Sequence, residues 1–425
     1  MAEGRGQGLP RKPRVRFRFR RQEYEFFFQW MAGAQTHGGT EAGEIFAAAS
    51  RIRERRPSTW VTEWTELARR VEARAVRSLD AGHRVSARES FLRCYAYQRA
   101  ALLFTSPLRE PERYRAQYER ARACFRRAAA LFDPPIEEIA VPYEGDALPG
   151  YLMRPGDGEV PRQTLIMIGG LDTFVEDLYA YIGPAAIKRG YNLVMVDLPG
   201  QGMQAGHGRI WRADAEVPMA AVVDWVLGRP DVDSERLAAF GLSGGGYLVP
   251  RAVTREKRIK AAVACCAILD LPPLWSKPYL ELHRRAERSR AWAAATALLR
   301  RWREAYFTMV ETYQWRVGAA TVPELAEVTR PCVVDAARIT RPFLNLIADQ
   351  EYANPDIRRF ADTIEREAAH PTTIVTPAEE GAGTHGVGTN LSLMSQLVFD
   401  WLDETFVTAA PAEPERRRTA AAAGA

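Results

Sequence analysis

The run Gly241-Leu242-Ser243-Gly244-Gly245 constrains this chain more than any other stretch. It falls where an apolar run of strand type, Leu237-Ala238-Ala239-Phe240, gives way to a helix-forming run through Tyr247-Leu248-Val249. A serine between two glycines at such a junction has the spacing of a nucleophile elbow, a sharp strand-to-helix turn that exposes the hydroxyl. The turn forces the serine into a strained backbone conformation and leaves no room for side chains at the flanking positions, which is why glycine stands there. The same letters also describe a glycine-rich helix cap. The remaining parts of a serine-based site must therefore be found elsewhere.

They follow in the required order, serine, then acid, then histidine. Arg341 to Ala348 reads as a buried strand, followed by the acidic loop Asp349-Gln350-Glu351-Tyr352-Ala353-Asn354-Pro355. The β-branched run Thr372-Thr373-Ile374-Val375 then leads into the glycine-rich Glu380-Gly381-Ala382-Gly383-Thr384-His385-Gly386. Of six histidines in the chain, His385 alone has this setting. The chemistry needs these residue types. A serine hydroxyl is a weak nucleophile until an imidazole accepts its proton, and a carboxylate fixes the imidazole tautomer and stabilises the imidazolium. Counting back from Pro355, a Gly-x-x-Asp-x-x-x-Pro spacing puts Glu351 at the acid position, with Asp349 as the alternative.

A tetrahedral oxyanion also needs donors. Thr164 to Ile168 is a continuous apolar run, and Gly169-Gly170-Leu171-Asp172-Thr173 follows it directly. The backbone N–H groups of Leu171 and Gly244 are the candidate donors. Asp172, beside that turn, and Asp270, after the apolar run at Cys265-Cys266, are candidate pocket residues, though Asp270 reads more readily as a cap of the next segment. A third strand, Asn192 to Val196, ends in the turn Asp197-Leu198-Pro199-Gly200-Gln201-Gly202, read as structural. No histidine pair has metal-ligand spacing and no phosphate-cradling Gly-x-x-x-x-Gly-Lys run occurs, so neither a metal nor a cofactor is expected.

Strand and helix patterns alternate from residue 136 onward, as a doubly wound, mostly parallel α/β sheet demands. Ile136 to Val141 and Leu148 to Met153 read as a β-hairpin. Upstream the pattern is helical over 23–135. Trp64, Leu67, Ala68, Val71 and Ala75 share one face, Tyr114, Tyr118, Ala121 and Phe125 share another, and Ser86 to Glu89 has capping-box spacing. The α/β region spans 136–407 and is interrupted at about 271–339 by a Trp- and Arg-rich helical stretch containing Trp275, Trp292, Trp302, Tyr306 and Trp315. Loops at the carboxyl ends of such strands build substrate chambers, so this stretch is read as a cap. Residues 1–22 form a basic leader and 408–425 an Ala/Pro/Arg tail; both lack a core pattern and are expected to be mobile.

The net charge is +5, and arginine predominates along the whole chain, so the basic leader is read as compositional bias rather than a nucleic-acid or membrane patch. No apolar run is long enough for a membrane span and the start has no signal-peptide core, which makes the cytoplasm the expected location. Five cysteines without framework spacing are read as reduced core residues.

The chain resembles the FrsA-like group of α/β-hydrolases, which includes 2,6-dihydroxypseudooxynicotine hydrolase and fungal polyketide-shortening pigment hydrolases. The likeness is carried by Gly169 to Thr173, Asp197 to Gly202, Val223 to Pro230 and Gly241 to Tyr247, and in the helical half by Gly43-Glu44, Trp60 with Trp64, and Gly82 to Arg88. At the acid the group usually shows Asp where this chain offers Glu351. The resemblance implies a serine hydrolase that cleaves an ester, thioester or β-diketone C–C bond of a small aromatic or polyketide-like substrate. Acyl transfer from the same acyl-serine is the alternative, and a non-catalytic scaffold is the reading from another class. The large apolar faces of the helical half need a partner surface, from which a homodimer is expected.

Overall fold

Short runs rich in Val, Ile, Leu and Ala, buried on both faces, are what a parallel sheet requires, and here they assemble into one. The computed structural model describes residues 16–409 apart from Asp157 and Glu159. Helices α1 (Gln22–Gly33), α2 (Ala42–Arg51), α3 (Ser58–Asp80), α4 (Arg84–Leu102) and α5 (Pro111–Ala129) come first. Then follow β1 (Glu137–Tyr143), β2 (Asp146–Met153), β3 (Arg162–Ile168), α6 (Asp177–Lys188), β4 (Asn192–Val196), α7 (Glu216–Leu227), β5 (Val232–Leu242), α8 (Gly245–Val253) and β6 (Ala261–Cys265). The chain leaves the sheet for α9 (Lys277–Arg288), α10 (Arg290–Trp302), α11 (Glu304–Val317) and α12 (Glu324–Val328). It returns through β7 (Pro342–Ala348), α13 (Asp349–Tyr352), α14 (Pro355–Glu367), β8 (His370–Thr376) and α15 (Leu391–Ala409).

The eight strands lie in the order β1-β2-β4-β3-β5-β6-β7-β8. β2 runs antiparallel to β1 and β4, and every other pairing is parallel. From β3 the chain crosses outward to β4 and then back past β3 to β5. The carboxyl ends of β3 and β5 therefore flank a topological switch point, where an open α/β sheet leaves a crevice. Both glycine-rich turns sit there.

Alternation along each strand sends residues to two cores. Ile166, Val194, Ala239 and Ala262 pack with α7, α8 and α14 on one face. Leu165, Met167, Leu193 and Phe240 pack with α6 and α15 on the other, and that core runs without a break into the helices ahead of the sheet, α1 to α5, which form a helical leader, through Tyr24, Trp60, Trp64, Phe91 and Phe125. Trp60 and Trp64 are fully buried, and the Trp60 indole donates to the Ala100 carbonyl of α4 at 2.7 Å. The apolar faces of α3 and α5 are thus covered within one chain, and the homodimer expectation loses the surfaces that motivated it.

Three expectations are corrected. Residues 16–21 are anchored rather than loose. The Glu25 carboxylate accepts from the backbone N–H groups of Phe17, Arg18 and Phe19, and the Phe19 ring is 1% exposed. The rest of the basic leader, and the tail beyond 409, lie outside the described residues. The capping box at Ser86 does not form, because α4 already starts at Arg84 and no side chain caps it. The acidic loop after β7 is a helical turn, α13, whose geometry matters below. Among the described residues no helix is long and apolar enough to cross a membrane.

Candidate active site

The elbow forms where β5 meets α8. Ser243 has φ of 56°, in the left-handed region that costs a non-glycine residue energy, and its N–H is held by the Cys265 carbonyl at 2.7 Å. A Cβ at Gly241 would lie 2.0 Å from the Gly245 carbonyl oxygen, so the turn can close only on glycine. His385 stands on the loop after β8 and Glu351 in α13 after β7. Neighbouring strand ends bring the three side chains together. His385 Nε2 is 2.9 Å from Ser243 Oγ, and Nδ1 is 2.6 Å from Glu351 Oε1. Ser243 and His385 are 8% and 7% exposed and Glu351 is fully buried.

Burial alone would raise the Glu351 carboxyl. The nearby His385 ring charge, hydrogen bonds from His385 and the Cys266 thiol, and the Gly386 N–H outweigh it and hold the carboxyl below the ordinary range. Cys266 Sγ lies 3.4 Å from Oε1, and the Gly386 N–H 3.4 Å from Oε2. Asp349, the alternative acid, has no such place, because both ring nitrogens of His385 are taken by Ser243 and Glu351.

The turn after β3 meets the elbow closely. A Cβ at Gly244 would sit 2.7 Å from the Leu171 backbone nitrogen, so the two main chains touch beside Ser243. Neither the Leu171 nor the Gly244 N–H donates to a backbone acceptor among the described residues. Two N–H groups side by side next to a serine hydroxyl can receive an oxyanion. Three side chains that sequence reasoning did not assign hold this turn by its carbonyls. Arg316 of α11, fully buried, donates from Nη1 to Leu171 and Thr173 at 2.8 and 2.7 Å. Gln201 donates to Gly169 at 2.5 Å, and Arg99 of α4 to Asp172 at 2.6 Å. Only Gln201 carried a signal, its position in the Asp197 to Gly202 turn.

Two cavities adjoin Ser243. One, of about 110 Å³, lies under the cap and is lined by Leu171, Gly244, Trp275, Tyr279, Tyr306 and Val310 among others. The other, of about 30 Å³, lies under the leader and is lined by Phe26, Phe27, Trp30, Arg99, Asp172 and His385 among others. The expected cap aromatics divide. Trp275 and Tyr306 line the larger cavity, Trp315 packs on Tyr114, and Trp292 and Trp302 face solvent at 42% and 58% exposure. Asp172 reaches the smaller cavity, whereas Asp270 lines neither. Its backbone forms a bridge with Val333, and burial raises its carboxyl above the usual range. It does not cap the turn at Pro272–Leu274 either, where Leu271 is the capping residue.

Elsewhere one cluster among the described residues, Glu72, Cys94 and Cys124, brings three ligand-type atoms within 4.8 Å of one another. A hydrogen bond with Cys124, followed by burial, raises the Cys94 thiol.

The comparisons agree with this architecture. A family model described as Esterase FrsA-like matches residues 51–272. The chain is 28% identical to "Hydrolase LUC6" from Fusarium sp over 427 aligned positions, which cover 90% of this chain and 96% of that one. It is 33% identical to "20-hydroxy-prefusarin hydrolase FUS2" from Gibberella moniliformis, over 58% of this chain and 61% of that one. Among solved structures, 2,6-dihydroxy-pseudo-oxynicotine hydrolase superposes with a TM-score of 0.70 at 21% identity, covering 88% of this chain and 96% of that one. AbyA5 gives a TM-score of 0.60 at 17% identity over 86% and 95%. These two likenesses show the fold, including a helical region ahead of the sheet.

Proposed function

The chain belongs to the FrsA-like esterase family and is a hydrolase of the α/β type; from that premise we propose that it works through a Ser243-His385-Glu351 triad. The observation that carries the reading is the unbroken hydrogen-bond chain, 2.9 Å from serine to imidazole and 2.6 Å from imidazole to carboxylate, beside the Leu171 and Gly244 N–H groups.

In the proposed cycle Ser243 Oγ attacks a carbonyl carbon while His385 Nε2 takes its proton. The carbonyl oxygen becomes an oxyanion between the two N–H groups, and Glu351 holds the Nδ1 proton and stabilises the imidazolium. Collapse breaks the bond to the leaving group, which takes the proton from Nε2 and leaves acyl-Ser243. Water, deprotonated by the same nitrogen, then releases the acid. With a β-diketone the bond broken is C–C and the leaving carbon takes the proton.

We propose as substrate a small aromatic or polyketide-like ester, thioester or β-diketone. The family likeness supports this class, as does the relative whose name specifies 20-hydroxy-prefusarin. Hydrolysis is favoured over acyl transfer, because the space beside His385, about 30 Å³, suits roughly one or two water molecules rather than a bulky acceptor. A fluorophosphonate should label the protein at Ser243 alone, as read by peptide mass spectrometry, and Ser243→Ala should lower kcat about 10⁴-fold or more while the protein still folds. Labelling elsewhere, or near-normal turnover in that variant, would remove the triad reading.

A further inference from the structure

We infer that Ser243 stands on the wall between two cavities that divide one substrate, with a bulky apolar acyl half under the cap and a small leaving group under the leader. This rests on the triad reading above. The two cavities share Ser243 but differ in what else reaches them. The oxyanion donors Leu171 and Gly244 line the cap cavity and not the other. His385 lines the leader cavity and not the cap cavity. When Oγ bonds to the carbonyl carbon, the oxygen must point at the two N–H groups, and the departing atom must lie within reach of Nε2, its proton donor. The remaining substituent on the carbonyl carbon is left to the cap side.

Size and chemistry agree with that division. The cap cavity is more than three times the volume of its neighbour, about 110 against 30 Å³. Its walls carry no charged side chain. Ile268, Leu274, Met309 and Val310 are apolar, while Tyr279 and Tyr306 offer rings with polar edges. Such walls fit an aromatic or polyketide-like acyl group bearing few hydroxyls. The leader cavity is narrow and mixed, with Phe27 and Trp30 facing Arg99 and Asp172. It has room for a methoxy-sized fragment, and afterwards for the water that replaces it. The atoms balance without a further reactant. The C–Oγ bond forms as the carbonyl carbon to leaving-atom bond breaks, the serine proton goes to the leaving atom, and one water supplies the new C–O bond while its proton returns to Oγ.

Two isomeric esters separate the orientations, methyl 2-naphthoate with a large acyl half and 2-naphthyl acetate with a large leaving half. With kcat/KM divided by each ester's rate in hydroxide, methyl 2-naphthoate should be preferred by tenfold or more. Trp30→Ala, which widens the leader cavity, should narrow that ratio at least threefold, and Val310→Trp, which fills the cap cavity, should narrow it at least tenfold. A normalised preference for 2-naphthyl acetate, or a ratio widened by either variant, would overturn the division. Phenylmethanesulfonyl fluoride gives the same reading without turnover, because its aryl group takes the acyl side and fluoride leaves. Val310→Trp should slow its reaction with Ser243 more than Trp30→Ala does, and the reverse order would overturn the inference. Loss of fluorophosphonate labelling at Ser243 would instead strike the triad itself, so the two failures are distinguishable.

Discussion

Both ring nitrogens of His385 are committed, Nε2 to Ser243 and Nδ1 to Glu351, so one carboxylate decides which tautomer faces the serine. Glu351→Gln keeps the shape but offers a neutral amide that cannot stabilise an imidazolium, and kcat should fall by about 10³ to 10⁴. Asp349→Asn should change kcat less than about threefold, since both nitrogens are already occupied. Steady-state rates on one substrate check both variants, and the opposite ranking would move the role to Asp349. Ser243, His385 and the glycines around them were legible because their spacing is set by the backbone turn itself. One acidic stretch offers both Glu351 and Asp349, and only the helical turn of α13 decides which is buried. Cys266 reads as a core residue, which its burial supports. That its thiol also donates to Glu351 depends on the meeting of strand ends 85 residues apart, which no local pattern encodes.

At the scale of elements, the leader and the sheet are joined by a buried polar seam. Arg99 and Tyr95 of α4 bond the Asp177 carboxylate at the start of α6 at 2.9 and 2.6 Å. Beside them Glu176 accepts from Tyr118 of α5 and Tyr151 of β2 at 3.3 and 3.2 Å, with Arg122 at 3.8 Å. Helical periodicity exposed the apolar faces of α3 and α5, but ion-pair partners 78 residues apart leave no such trace. Burial raises the Glu176 carboxyl to about 7 from its ordinary 4.5, against the lowering effect of Arg122. The folded protein therefore holds this proton more tightly than the unfolded chain. The resulting stabilisation is fully present below about pH 4.5 and is lost as pH rises through about 7. Glu176→Gln removes the titration. The Tm of the variant minus that of the parent should rise between pH 5 and pH 8, and a difference that stays flat over that window would show that Glu176 does not titrate at the seam.

Across the whole molecule the leader behaves as part of the hydrolase rather than as an appendage. Its aromatic core is continuous with one face of the sheet, and α1 supplies Phe26, Phe27 and Trp30 to the cavity that His385 also lines. Removing residues up to Asp133 would uncover Tyr151, Phe174, Tyr179 and Tyr181, all now buried, and would leave Asp177 without its arginine. An exposed aromatic surface of that kind invites association, and an unpaired buried carboxylate is costly. From sequence, the apolar faces of the helical half called only for a surface to cover them. The contacts give a more specific reason, since Arg99 also braces the turn that carries the Leu171 N–H. The shortened chain should therefore aggregate in light scattering or, where it stays soluble, should lose most of its kcat and label slowly with fluorophosphonate. The intact chain should show neither defect. A soluble, monodisperse fragment that labels at the parent rate and turns over the same ester equally well would mean that β3, β5 and the loop of His385 hold the site unaided.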